Sequence, residues 1–81
     1  MDIHAALNDG NEIIIDFETG DTGDSFNLNI FDVAGKLVVT ESFVTNNTKN
    51  RIRINSRIDS KGIYIVALNS ERNKSVKKFY L

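Results

Sequence analysis

The stretch FNLNIFDVAGKLVV, residues 26–39, decides the fold of this chain. Its first five residues alternate strictly between apolar and polar side chains, which is the period of a β-strand with one buried face. The DVAGK segment then turns the chain. The side chain of Asp32 accepts hydrogen bonds from backbone N–H groups just ahead, and Gly35 adopts a positive φ at no steric cost. Residues 36–43 return, so the stretch predicts a β-hairpin.

The same alternation recurs on both sides of this hairpin. It predicts six strands, at residues 12–17, 26–30, 36–43, 51–54, 62–68 and 76–81. For residues 3–7 three structures stay open: a seventh strand, a helical turn or a frayed tail. No segment shows apolar residues at the 3.6-residue period of a helix over a sufficient length. Short strands with polar turns between them favour an antiparallel, immunoglobulin-like β-sandwich of six or seven strands.

Size and composition set the limits of the chain. Eighty-one residues predict one all-β domain spanning residues 1–81, with residues 1–10 as a loosely ordered lead-in or a first strand. No apolar run approaches the roughly 18 residues that span a membrane, so we expect no membrane insertion. The absence of cysteine excludes a disulfide framework and any thiolate metal site.

Charge is distributed unevenly along the chain. Residues 1–24 hold seven of the eleven acidic residues and no Lys or Arg, whereas all ten basic residues lie in residues 25–81. The simpler interpretation is that acidic and basic strands pack near each other. The alternative is a basic face for an anionic partner such as lipopolysaccharide or nucleic acid.

Residues that support catalysis are scarce. His4 is the only histidine, no cysteine nucleophile exists, and no Gly-rich phosphate loop appears. We therefore expect a non-enzymatic domain without a cofactor. Arg51, Arg53, Arg57 and Lys61 suggest a basic stripe, but nucleic-acid binding requires more positive charge and interleaved aromatic residues, so no nucleic-acid partner is expected.

Four carboxylates near the first polar loop are weak candidates for a metal site. They are Asp16, Glu18, Asp21 and Asp24, and calcium binds flexible loops rich in carboxylates. Their spacing lacks the tight alternation and the closing bidentate Glu of an EF-hand loop. We expect no bound metal and favour a solvated hairpin loop.

Two further motifs follow the hairpin. In KGIYIV, Gly62 lets the chain enter a strand, and Tyr64 is typical of a tyrosine that buries its ring while its hydroxyl finds a partner. The second motif is KKFYL, which begins with Lys77 and Lys78. Read alone, each motif indicates only a strand in a sheet.

Taken in order, DVAGK, the apolar connector Ile58, KGIY and KKFYL resemble the C-terminal sorting domains of the type IX (Por) secretion system, type A in kind. The similarity covers residues 12–81. The family usually opens with Pro-Asn-Pro, whereas this chain contains no proline. We interpret the chain as the C-terminal domain of a larger exported protein.

The resemblance implies a role as an address label, with no chemistry of its own. The parent protein would pass through the periplasm and across the outer membrane of a Gram-negative bacterium, to the cell surface or the medium. Protein partners in the secretion machinery would recognise Gly62, Tyr64, Lys77 and Lys78. Asp32 and Gly35 would form the structural turn, and a surface protease would remove the domain.

A second function from a different class stays open at this point. An accessory immunoglobulin-like or fibronectin-like module would serve as a spacer or a glycan binder in a cell-surface or carbohydrate-active protein. A glycan-binding sandwich exposes a flat row of aromatic side chains. Phe31 and Tyr80, which are out of phase with their apolar neighbours, are the candidates for such a row.

Overall fold

The computed structural model describes residues 1–20, 23–56, 58 and 60–81. These residues form seven strands: β1 (Asp2–Asn8), β2 (Ile13–Glu18), β3 (Ser25–Asp32), β4 (Leu37–Val44), β5 (Lys49–Ile54), β6 (Ile63–Asn69) and β7 (Lys74–Tyr80). No helix of the described residues is long and apolar enough to cross a membrane.

The strands form two antiparallel sheets. One has the order β1-β2-β5 and the other β4-β3-β6-β7. Apolar side chains from both sheets join one buried cluster between them. The prediction of an all-β antiparallel sandwich is therefore confirmed.

The first strand settles the ambiguity at the amino-terminal end. Residues 2–8 form β1, which pairs with β2, and Ile3 is completely buried. A bulge shifts the register between Ile3 and Ala5. This segment therefore forms a strand and not a helical turn, because the buried side chain of Ile3 packs in the core.

Alternating side chains of the central strands build the core. The buried set from β2 and β3 consists of Ile13, Ile15, Phe17, Phe26, Leu28 and Ile30. Each such side chain stabilises the fold by roughly 1.5–3 kcal/mol relative to exposure. At one end of the sandwich the rings of Phe17, Phe26 and Phe43 form a cluster with centroids 5.7–5.8 Å apart, and this aromatic cluster links the two sheets.

Candidate functional site

The DVAGK turn is held by a compact set of hydrogen bonds. Asp32 Oδ1 accepts from the backbone N–H groups of Ala34 (3.0 Å) and Lys36 (2.9 Å). The backbone N–H of Gly35 donates to the Asp32 carbonyl at 3.0 Å, and Gly35 has a φ of 87°. This conformation strains any residue with a Cβ, so the Asp and the Gly form the turn together.

The Gly62–Tyr64 segment is fixed by its backbone and by the tyrosine hydroxyl. The backbone N–H of Leu81 donates to the Gly62 carbonyl at 2.9 Å, and the Gly62 N–H donates back at 3.3 Å. Tyr64 is 7% exposed, and its hydroxyl donates to the carbonyl of Ser60 at 2.6 Å. The ring thus packs in the core while its polar atom fastens the chain just before β6.

Lys77 and Lys78 lie on opposite faces of β7. Lys77 faces the first sheet, where its Nζ donates to the carbonyl of Ile3 in β1 at 3.2 Å. Lys78 is exposed on the outer face, directly opposite Ile65 of β6. One lysine therefore contributes to the contact between the sheets, and the other is presented to solvent.

The three motifs meet at one end of the four-stranded sheet. Asp32 pairs across the strands with Tyr64, and Tyr64 pairs with Phe79. We call this region, residues 32–36, 61–64 and 77–81, the motif-bearing end. A groove of about 660 Å³ opens there between the DVAGK turn and the Gly62 segment, and Lys36 and Lys61 are among the residues that line it.

The proposed metal candidates do not converge in the described part of the chain. Asp16 accepts two hydrogen bonds from Arg51, at 2.7 and 3.1 Å, and this arginine lowers the pKa of Asp16 below its usual 3.8. Glu18 Oε2 lies 3.4 Å from His4 Nε2. Asp24 has a buried carboxylate oxygen without a hydrogen-bond partner among the described residues, and Asp21 lies outside them.

The described residues contain no group of three His, Cys, Asp or Glu side chains that could hold a metal ion.

The arginines of β5 are matched by carboxylates of the neighbouring segment. Arg51 pairs with Asp16, and Arg53 Nη1 lies 2.6 Å from Glu12 Oε1. Residue 57, the third arginine of the suggested stripe, lies outside the described residues. The acidic first part of the chain and the basic remainder are thus brought together across β2 and β5, which is the simpler of the two interpretations of the charge pattern.

Sequence reasoning missed a group of apolar side chains on the outer surface of the four-stranded sheet. Ile63 and Tyr80 are exposed and lie opposite each other on β6 and β7. Both residues are marked by their position, because each is an apolar residue at a strand position that alternates with the buried ones. On that ground the sequence alone points to Phe31 and Tyr80, but not to Ile63.

Comparison with known proteins identifies the family. No curated protein matches the chain. The family model described as the secretion system C-terminal sorting domain matches residues 9–81, which is nearly the whole chain. The motif-bearing end contains the DVAGK, KGIY and terminal segments on which the resemblance was based. The chain therefore belongs to the family of C-terminal sorting domains of the type IX secretion system.

Proposed function

We propose that the secretion machinery recognises this sorting domain at its motif-bearing end, through Gly62, Tyr64, Lys77 and Lys78. Family membership makes the chain a sorting signal for type IX secretion, which interacts with that machinery. The observation that carries the proposal is the convergence of three motifs, distant in sequence, on one end of one sheet. A surface assembled from all three exists only in the folded domain.

The four residues have different roles in this proposal. Tyr64 is buried with its hydroxyl engaged, so it positions residues 60–64 and does not contact the partner directly. Lys78 offers an exposed charge. Gly62 provides backbone without a side chain beside the last residues of the chain, where a Cβ would meet nothing within 4 Å.

The edge of β7 supports binding by strand addition. Within the described part of the chain β7 pairs with β6 alone, so its other edge presents backbone donors and acceptors. A partner strand would gain affinity from backbone hydrogen bonds and selectivity from side chains. Lys77 faces inward on this edge strand, and such a charge discourages indiscriminate pairing.

The route and fate of the cargo are part of the same proposal. The family places the domain in secretion across the outer membrane. We propose a Gram-negative host, passage through the periplasm, and removal of the domain by a surface protease.

We further propose that the domain has no enzymatic activity. The only histidine, His4, lies on the surface beside Asp2 and Glu18, and there is no cysteine. The accessory-module alternative is disfavoured by the family match. Phe31 and Tyr80 lie on β3 and β7, which are not neighbours in the sheet, so they form no continuous aromatic row.

A secretion assay tests the proposal. Residues 1–81 are fused behind a signal peptide and a fluorescent protein, and export is compared between a type IX host and the same host without its translocon. We expect fluorescence on the surface or in the medium, and its loss without the translocon. Fluorescence retained in the periplasm of both hosts would refute the proposal.

Variants then locate the recognised region. Deleting residues 75–81 should abolish export, but it also removes buried Leu81 from the core. The double variant Lys77→Gln, Lys78→Gln keeps the core and should also reduce export, whereas Lys74→Gln on the same strand should not. Circular dichroism of the purified domains checks that each variant folds. Normal export of the folded double variant would exclude the lysines from recognition.

A further inference from the structure

One end of the outer surface of the four-stranded sheet is apolar. Residues opposite each other on neighbouring strands share a face. Phe31 lies opposite Leu37 and Ile65, and Ile63 lies opposite Tyr80. Together with Val76, opposite Ala67, these side chains form what we call the outer apolar face: Phe31, Leu37, Ile63, Ile65, Val76 and Tyr80.

The fold does not require this face to be apolar. At the other end of the same sheet, the same surface carries polar side chains, namely Asn27, Asn29, Thr40, Ser42 and Asn69. There the hydroxyl of Ser42 donates to Asn27 Oδ1 at 2.7 Å, as on an ordinary solvated sheet surface. Tyr80, in contrast, is 68% exposed, and contiguous exposed apolar side chains mark interaction sites.

Positively charged side chains surround the outer apolar face. Lys36, Lys61 and Lys78 are exposed, and none forms an ion pair with a described residue. The acidic residue of the DVAGK turn, Asp32, uses a carboxylate oxygen to hold that turn. Asp32 keeps its negative charge in these bonds, so the three lysines outnumber it, although the whole chain carries a net charge of −1.

We propose that the outer apolar face docks against a surface of the secretion machinery with an apolar centre and a rim of carboxylates. This inference rests on the proposed function and adds a sheet surface to the recognition at the strand edge. Apolar burial would supply affinity, and the lysines would select an acidic partner and accelerate its encounter.

A second copy of this chain is a poorer occupant of the same face. Face-to-face association would bring Lys36, Lys61 and Lys78 near their counterparts, and like charges oppose such contacts. Carboxylates elsewhere on the chain are partly engaged, since Asp16 and Glu12 already bind Arg51 and Arg53. Charge complementarity therefore favours a different, acidic protein.

Binding to outer-membrane vesicles tests the inference. The labelled 81-residue domain is titrated with vesicles from type IX-competent cells and, in parallel, with vesicles from cells without the translocon. We expect saturable binding to the first only, weakened by added salt. Ile63→Thr, Tyr80→Thr and Lys36→Glu should each raise the Kd about tenfold, which corresponds to about 1.4 kcal/mol.

Matched controls lie on the same surface at its polar end. Val44→Thr removes an exposed apolar side chain from β4, and Lys74→Glu reverses an exposed charge on β7. Both should leave the Kd within about twofold of the original, because they lie outside the proposed contact.

Three results would overturn the inference. The first is that the face variants bind as tightly as the unmodified domain. The second is equal binding to vesicles without the translocon, which would indicate a lipid surface. The third is a dimer in sedimentation that Tyr80→Thr dissociates. Export of the fusion in the secretion assay separates the two proposals. If export requires the translocon while the face variants behave normally, only the docking inference fails.

Discussion

Lys77 in β7 donates a hydrogen bond from its Nζ to the backbone carbonyl of Ile3 in β1, joining residues 74 positions apart. Ile3 is completely buried, and β1 and β7 belong to different sheets. This contact therefore connects the first and last strands at the place where the two sheets meet.

Removing this bond should weaken the fold. Lys77→Met keeps an apolar stem but cannot donate, and we expect a loss of about 0.5–1.5 kcal/mol in the free energy of unfolding. Urea unfolding of the purified domain measures it. Lys74→Met on the same strand is the control and should change little. Equal effects in the two variants would show that the bond adds no stability.

The Tyr64 hydroxyl offers a second test. Tyr64→Phe removes the donor to the Ser60 carbonyl at 2.6 Å and leaves the buried ring in place. We expect a loss of about 0.5–1.5 kcal/mol, since a partly buried hydrogen bond would be lost. Tyr80→Phe alters an exposed hydroxyl and should be neutral. If thermal unfolding shows the same midpoint for both variants, the hydrogen bond from Tyr64 to Ser60 adds no stability.

Gly35 and Gly62 should respond differently to alanine. Gly35 has a φ of 87°, so Gly35→Ala should cost about 1–2 kcal/mol from backbone strain alone, because no atom lies within 4 Å of the added Cβ. Gly62 has equal space and no positive φ, so Gly62→Ala should be close to neutral. Denaturant midpoints of the two variants make the comparison. A neutral Gly35→Ala would contradict the strained-turn interpretation.

The Asp16–Arg51 pair predicts a pH dependence. Hydrogen bonds from Arg51 hold the pKa of Asp16 below its usual 3.8. A pKa that is lower in the folded state stabilises the fold above the unfolded value, and this contribution disappears as the pH falls through the folded value. The effect should be small, because both side chains are partly exposed.

Urea midpoints between neutral pH and about pH 2.5 test this dependence. Asp16→Asn should reduce the loss of stability at acidic pH, whereas Glu41→Gln, which leaves the pair intact, should retain that part of the loss. An unchanged pH profile for Asp16→Asn would show that the pair contributes nothing.

Local patterns predicted most of the strands and the turn. The alternation of Phe26, Leu28 and Ile30 corresponds to buried positions of β3, because a period of two maps directly onto one face of a sheet. The first strand was ambiguous because the bulge after Ile3 breaks that period. The burial of Tyr64 was also expected from its place beside apolar residues.

The arrangement of the site depended on information that short patterns do not carry. The strand order β4-β3-β6-β7 places β3 beside β6, although the strands are separated in sequence. Only this order brings Asp32 next to Tyr64 and makes one end of the outer surface apolar. The bond from Lys77 to Ile3 depends likewise on how the two sheets are stacked.

The aromatic cluster of Phe17, Phe26 and Phe43 has a consequence for engineering. Phe26 is the second residue of β3, whereas Asp32 ends the strand, roughly 20 Å away at the rise of an extended strand. The ring cluster and the motif-bearing end are thus at opposite poles of the sandwich. The aromatic cluster can therefore be redesigned to give a more stable export tag for foreign cargo, while the residues of the motif-bearing end stay unchanged.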